Sequence, residues 1–419
     1  MLNRPTRIST SLLLILVLAP ALVNAQTPAT TGQATPAPPP ETREEALRRE
    51  REAKKERLEP YHPNGVEWTM NLLEKRVQPL MARDGFYARL GSLTTGSGLA
   101  YGVGFRNRRL FNRHGSGDVW VAGSLNHYWT IEGRLNVTPK PSGIVSIDAF
   151  VRRMNYPQEE FFGLGPDSRR PDRSDYRMHG TVAGAVATVR PARYFSFGGG
   201  ADFLGVRLDP GTATELPNVQ DLFDDLGVPG LALQPNYFQT GAFAQIDYRK
   251  PVNARKGGWY RVAFNRFADQ GTGEYSFRRL DVEVRQYASV LAERRVFVVR
   301  GWVAMTEPDA GSRTPFYLMP ALGGNDTLRG FRAYRFRGPN ALLLQAEYRF
   351  EIWAGLDGAL FYDTGKVTAR RVDLNFRGLE RDYGIGFRFN TDEGVIMRVD
   401  AAFGSRDGRH LHIVFGTLF

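Results

Sequence analysis

Residues 316–350 read FYLMPALGGNDTLRGFRAYRFRGPNALLLQAEYRF, and the pattern continues through Glu351 and Ile352. In the second half of this stretch Leu342, Leu344, Ala346, Tyr348, Phe350 and Ile352 share one side of a two-residue period. Gln345, Glu347, Arg349 and Glu351 share the other. An extended strand separates such residues onto two faces, here one apolar and one charged. That is the pattern of a wall with lipid on one side and water on the other. The first half is a polar, arginine-rich loop carrying Leu328, Arg329, Gly330 and Phe331, and it runs directly into the strand.

The same period appears on both sides of this stretch. Tyr383, Ile385, Phe387 and Phe389 alternate with Asp382, Arg388 and Asn390, while Leu280, Val282 and Val284 oppose a charged face within 279–285. From residue 85 to the last residue such segments give about sixteen strands. They are predicted at 85–96, 98–111, 117–126, 128–139, 143–155, 175–190, 194–209, 236–250, 257–269, 275–291, 294–307, 340–353, 356–368, 381–390, 394–404 and 410–419. An even count is the habit of single-chain bacterial barrels. Short links at 139–143, 190–193, 292–294, 354–355 and 391–394 interleave with long ones at 156–174, 210–235, 306–339 and 369–381. This phase places both barrel ends on the periplasmic side. A sheet in hydrocarbon cannot leave backbone groups unpaired, so the first and last strands are expected to pair. The fold class is therefore all-β, a transmembrane antiparallel β-barrel of about 16 strands behind a short helical periplasmic segment.

Ahead of the barrel, Arg4 and Arg7 precede an apolar run over 11–19 and the small residues Val23, Asn24 and Ala25. This is the order of a secretory signal peptide, 1–25. The apolar run is too short for a transmembrane helix, and no later run is longer. Residues 26–40, rich in Pro, Thr and Ala, form a disordered leader. Residues 41–84 form a charged and then amphipathic helical periplasmic segment: 41–58 mixes Glu, Arg and Lys, and 66–83 places Trp68, Leu72, Val77 and Leu80 near one face with a break at Pro79. The barrel domain is 85–419. There is no cysteine, so neither disulfides nor thiolate chemistry is available.

The loop containing Leu328, Arg329, Gly330 and Phe331, the strand after it and the run Phe361, Tyr362, Asp363, Thr364, Gly365 together resemble the bacterial surface antigen family, the barrel domain of BamA- and TamA-type assembly and translocation proteins. The resemblance implies that the loop folds into the lumen and pins its tip to the wall, its arginine pairing with acidic positions that match Glu347 and Asp363. Asp363 shares inward parity with Asp357. An arginine fork can hold a carboxylate through two parallel hydrogen bonds, Gly330 permits close backbone approach, and Phe331 offers an anchor. These five residues, Arg329, Gly330, Phe331, Glu347 and Asp363, form the expected loop-to-barrel lock. A second resemblance, to short barrels of the family, lies in residues 160–168, EFFGLGPDS, whose glycines and proline suit a structural turn. The end of the chain, with Leu411, Ile413, Phe415 and terminal Phe419 on one face, is similar to the sorting signal of outer-membrane barrels.

The family implies assembly, insertion or translocation of proteins or lipids at the outer membrane, through weakened pairing of the first and last strands. Members that handle proteins usually carry POTRA domains ahead of the barrel. Residues 26–83 are too short and too helical in composition for one such βααββ module, so the expectation is a barrel acting without them. Two alternatives are a passive pore or solute channel plugged by the Arg329 loop, and a structural surface protein working with a separate periplasmic partner.

The net charge of +11 suits a basic lumen or the anionic headgroups of outer-membrane lipid and lipopolysaccharide better than nucleic acid, since the chain is exported. Client barrels, or a periplasmic partner bound through 41–83, are the protein partners expected. His410 and His412 share a strand face, which is weak spacing for a metal. No Gly-x-Ser-x-Gly elbow or P-loop is present. No enzyme activity, cofactor or metal is expected.

Overall fold

The computed structural model describes Arg49 and residues 84–415 apart from 140–142, 250–253, 292, 354 and 392–393. The signal peptide, leader and helical segment expected before residue 84 therefore lie outside the described residues, Arg49 apart, as does Phe419.

Among the described residues one sheet of sixteen strands runs in chain order, each strand antiparallel to the next. The first half consists of β1 (Gly85–Gly91), β2 (Ala100–Leu110), β3 (Gly115–Ser124), β4 (Trp129–Val137), β5 (Val145–Phe161), β6 (Ser174–Val189), β7 (Phe195–Pro210) and β8 (Asn236–Asp247). After β9 (Gly257–Asp269), β10 (Phe277–Val290) and β11 (Arg295–Pro308), the chain leaves the sheet for a long connection. Within it β12 (Ala321–Leu322) and β13 (Phe336–Arg337) pair as a small ribbon. The sheet resumes with β14 (Asn340–Trp353), β15 (Leu356–Thr368), β16 (Glu380–Thr391), β17 (Gly394–Ser405) and β18 (Gly408–Phe415).

The period-two reading sets which face is which. Leu360, Tyr362, Tyr383, Ile385, Phe387, Leu411 and Ile413 are exposed on the outer wall, whereas Glu347, Asp363, Asp382, Arg388, Arg398 and Asp400 are buried inside. Up-and-down order then gathers the long connections 162–173, 211–235, 309–339 and 369–379 at one end, here the crown, and the hairpins 190–194 and 291–294 at the other. The crown has an apolar core of its own, in which Phe161, Tyr176, Val219, Tyr237, Tyr275, Phe277 and Phe316 are buried together.

Strand ends shift by a few residues from the sequence reading, and three differences carry a physical reason. β5 runs to Phe161, beyond the expected end at 155, because a bulge between Tyr156 and Glu159 accommodates Pro157 without ending the strand. β1 stops at Gly91, and residues 92–99 form a turn around buried Ser97, whose hydroxyl accepts from the amides of Leu93 and Thr94.

The third difference concerns closure. The Cα atoms of β1 and β18 approach within 8 Å, yet among the described residues no backbone ladder joins them. The expectation that first and last strands pair is therefore corrected to apposition at an unladdered seam. The hydrocarbon argument asks only that edge groups be satisfied, and the described parts of β1 and β18 are short, 7 and 8 residues, so few backbone groups face the seam.

Candidate functional site

The connection between β11 and β14 turns inward and lays Leu328, Arg329, Gly330 and Phe331 against the inner faces of β14 to β18. Gly323 and Gly324, at φ +117° and +93°, make the reversal that admits it. Its apolar side chains carry it down. Leu322, Leu328, Phe331 and Phe336 are wholly or almost wholly buried with Ala304, Ala341, Leu343 and Val367 of the wall.

Arg329 ends up with no solvent exposure. Its Nε and Nη2 donate to the two oxygens of Asp363 at 2.7 and 2.8 Å, the two-pronged geometry that suits a planar guanidinium. Nη1 donates to Glu347 at 2.9 Å and lies 3.5 Å from Asp400. The guanidinium carbon sits 3.5 Å from the centroid of the Phe361 ring, so one face is covered by the π system. The Arg329 carbonyl lies 2.7 Å from His412 Nε2.

Of the expected lock residues, Arg329, Glu347 and Asp363 come together directly, Gly330 approaches the wall, and Phe331 is wholly buried. A Cβ on Gly330 would stand 2.4 Å from Cβ of Asp382, so glycine is needed there for contact rather than for a left-handed turn. Asp382 is itself buried, directly across the ladder from Asp363. Leu411 and Ile413 lie on the outer wall as expected. Phe415 is half-buried beside Met397.

The cluster is larger than its sequence signature. Arg388 forks onto Glu347 at 2.6 and 3.1 Å and reaches Asp400 at 2.6 Å, while Arg349 donates to Glu347 at 2.7 Å. Arg398 joins Asp400 at 2.9 Å and the loop's Asp326 at 2.9 Å. Gln345 holds the Thr327 carbonyl at 2.6 Å and Asp363 at 3.1 Å. Gly386 makes room for this crossing, since a Cβ there would meet Asp400 Oδ1 at 2.2 Å. The sequence reading missed Arg388, Arg398 and Asp400 as partners. Their signal was present as inward parity, but parity does not say which charges converge across four strands.

Asp357 is not part of this cluster. It lies at the opposite end of β15, bound by Arg255 at 2.7 and 2.8 Å. The segment 160–168 carries more than turn chemistry: Gly163 and Gly165 take positive φ, the Gly165 amide donates to the Arg337 carbonyl at 2.7 Å, and Ser168 holds Arg335. His410 and His412 stack at 6.2 Å, and among the described residues no group of three or more His, Cys, Asp or Glu side chains is placed to hold a metal.

A sixteen-stranded lipid-facing barrel with an arginine loop locked onto its inner wall defines a class, that of outer-membrane barrels with an inward crown loop. Residues 244–417, containing the loop and the strands that hold it, match the Omp85 superfamily domain. Similar solved structures include BamA from Haemophilus ducreyi lacking POTRA domains 1–3, at 12% identity and a TM-score of 0.58, over 80% of this chain and 70% of that one. CdiB from Escherichia coli is similar at 13% identity and a TM-score of 0.54, over 79% of this chain and 61% of that one. Identities this low speak for the shared fold alone. No curated protein matches the chain.

Proposed function

We propose that this barrel assists the insertion or translocation of client polypeptides at the outer membrane, with the seam between β1 and β18 as its working edge and the Arg329 cluster as the fixed wall against which that edge moves. The observation that carries this reading is the contrast within one sheet: every other neighbouring pair shares a backbone ladder, and the seam has none among the described residues. A strand edge with unpaired N–H and C=O groups is a template for another strand, and in a hydrocarbon surround the incentive to satisfy it is several kcal/mol, roughly, per group. Soluble folds conceal such edges. Here the edge lies in the wall, where a client strand could add to it.

In this reading both chain ends face the periplasm, as the phase of long and short connections suggests, and the basic surfaces meet anionic outer-membrane lipid and lipopolysaccharide. Residues 41–83 would meet a client or periplasmic partner.

The test is reconstitution of the purified chain in liposomes with an unfolded client barrel. Accelerated client folding, abolished by a disulfide between Ala88→Cys and Leu411→Cys across the seam, supports insertion through that edge. The chain has no native cysteine to confuse the bridge. Reproducible single-channel conductance with no effect on client folding would replace this proposal with a plugged pore.

A further inference from the structure

The Arg329 cluster holds the loop, but it does not account for how the unladdered seam stays closed. Five and six residues further along the same loop, Tyr334 and Arg335 point to the two sides of that seam. The Tyr334 hydroxyl and Thr94 Oγ1 are hydrogen-bonded at 2.6 Å, and Thr94 belongs to the turn that follows β1. Arg335 Nε lies 3.2 Å from Asp407, in the turn that begins β18. Adjacent residues of one loop thus reach both strands whose edges meet without a ladder.

We infer that Tyr334 and Arg335 form a staple that closes the seam from inside, at the crown end, in place of backbone pairing.

The Arg335 arm is built as a site rather than a surface contact. Both Arg335 and Asp407 are buried, to 2% and 5% exposure. Arg335 Nη1 and Nη2 donate to the hydroxyl and carbonyl of Ser168 at 2.7 and 2.8 Å, and its guanidinium lies between the rings of Phe162 and Phe336 at 5.0 and 4.7 Å. Ser405 donates to the Gly330 carbonyl and accepts from the Asp407 amide at 3.0 Å, and so fixes the turn. Arg406 alongside reaches Glu380 at 2.8 Å.

The Tyr334 arm carries a backbone signature. Its φ is +54°, a left-handed conformation that a bulky side chain adopts only when its surroundings impose it. At the preceding residue, Ala333 Cβ lies 3.4 Å from where a Cβ on Gly96 would stand, and the methyl of Thr95 crowds Gly324. The loop therefore presses on the β1 turn through three consecutive residues of that turn, 94–96. The strained turn is what lets neighbouring side chains diverge toward separate strands.

The inference deepens the proposed function and rests on the seam being its working edge, since the staple would have to yield for that edge to open. It is tested without reference to clients. Spin labels at Ala88→Cys on β1 and Leu411→Cys on β18, both on the outer wall, report the seam by pulsed dipolar spectroscopy in nanodiscs. Labels at Ala346→Cys and Tyr362→Cys, paired across the β14–β15 ladder, serve as the control.

In the double variant Tyr334→Phe with Asp407→Asn, the seam should gain a population longer by at least one strand spacing, about 5 Å, with the control pair unchanged. Tyr334→Phe alone removes a single oxygen and should give part of that shift, which keeps the test valid if the double variant fails to fold. A folded variant whose seam distances match the parent, or one in which seam and ladder pairs broaden together, overturns the staple. A seam that widens while client folding is never accelerated upholds the staple and defeats the insertion reading.

Discussion

The wall from β14 to β17 and the seam between β18 and β1 are parts of one sheet, held by different means. In the wall each strand is paired along its length and is braced again from inside, where Arg329, Arg349, Arg388 and Arg398 interleave with Glu347, Asp363 and Asp400. At the seam no ladder is present among the described residues, and the bracing is a few side-chain contacts at the crown end. The difference is one of reversibility. Breaking a ladder in hydrocarbon exposes many backbone groups at once, whereas releasing a hydroxyl and one ion pair near the rim exposes few. A barrel that must open somewhere without unfolding everywhere is served by this division.

The largest effect expected on the wall follows from Arg329→Ala, which removes the cation shared by Asp363 and Glu347 and leaves carboxylates buried without it. Breaking a buried ion pair by deleting one partner costs about 3–5 kcal/mol. The variant should lose heat-modifiable mobility at a clearly lower temperature, and its double-mutant cycle with Asp363→Ala should show strong coupling. Strictly additive effects would mean that the contact carries no energy of its own. Stapling variants, by comparison, should alter seam distances while leaving this transition nearly in place. If instead Arg329→Ala widened the seam as much as Tyr334→Phe, the division between wall and seam would fail.

A smaller effect is expected from Gly330→Ala. The added methyl meets Asp382 Cβ at 2.4 Å, backbone-proximal on a paired strand and unable to swing away. Overpacking of this kind costs about 1–3 kcal/mol. Combining it with Asp382→Gly should restore part of the loss, a non-additivity that thermal mobility shifts would register. No rescue would show that Gly330 is required for its backbone freedom instead.

Much of this architecture was legible from residue order. The period of two named the inner and outer faces, and the strands at 257–269, 340–353 and 356–368 fall where alternation predicts them. Alternation is local, so it survives in the sequence. The resemblance of the loop brought Arg329 to Glu347 and Asp363, but the rest of the cluster was not legible. Asp400 meets Arg329, and Arg388 joins it on Glu347, only because the curved sheet brings β16 and β17 around to the same interior space as β14 and β15. Sequence spacing carries no record of that curvature. The seam was misread for a related reason. The hydrocarbon argument requires edges to be satisfied, but it does not say that the satisfying partner is a strand of the same chain.

The smallest effect lies in the crown. Arg313 Nη2 holds Asp225 at 2.8 Å and the guanidinium also reaches the Asp225 carbonyl at 2.8 Å, so the β7–β8 connection is tied to the long loop that carries the lock. Burial pushes the Asp225 carboxyl up, but the Ala232 amide and the Arg313 guanidinium outweigh it and hold the group below its ordinary value. A carboxyl in the unfolded chain titrates near 4, roughly, so the stability from this pair is fully present above that value and is lost as pH falls through the lower folded one. Both partners are partly exposed, which limits the gain to under about 1 kcal/mol. Arg313→Ala should therefore raise amide exchange at Ala232 modestly at pH 6, and parent and variant should converge once the carboxyl is protonated. A difference that persists undiminished in acid would assign the contact to the Arg313 packing on Tyr275, at 5.7 Å, in place of its charge.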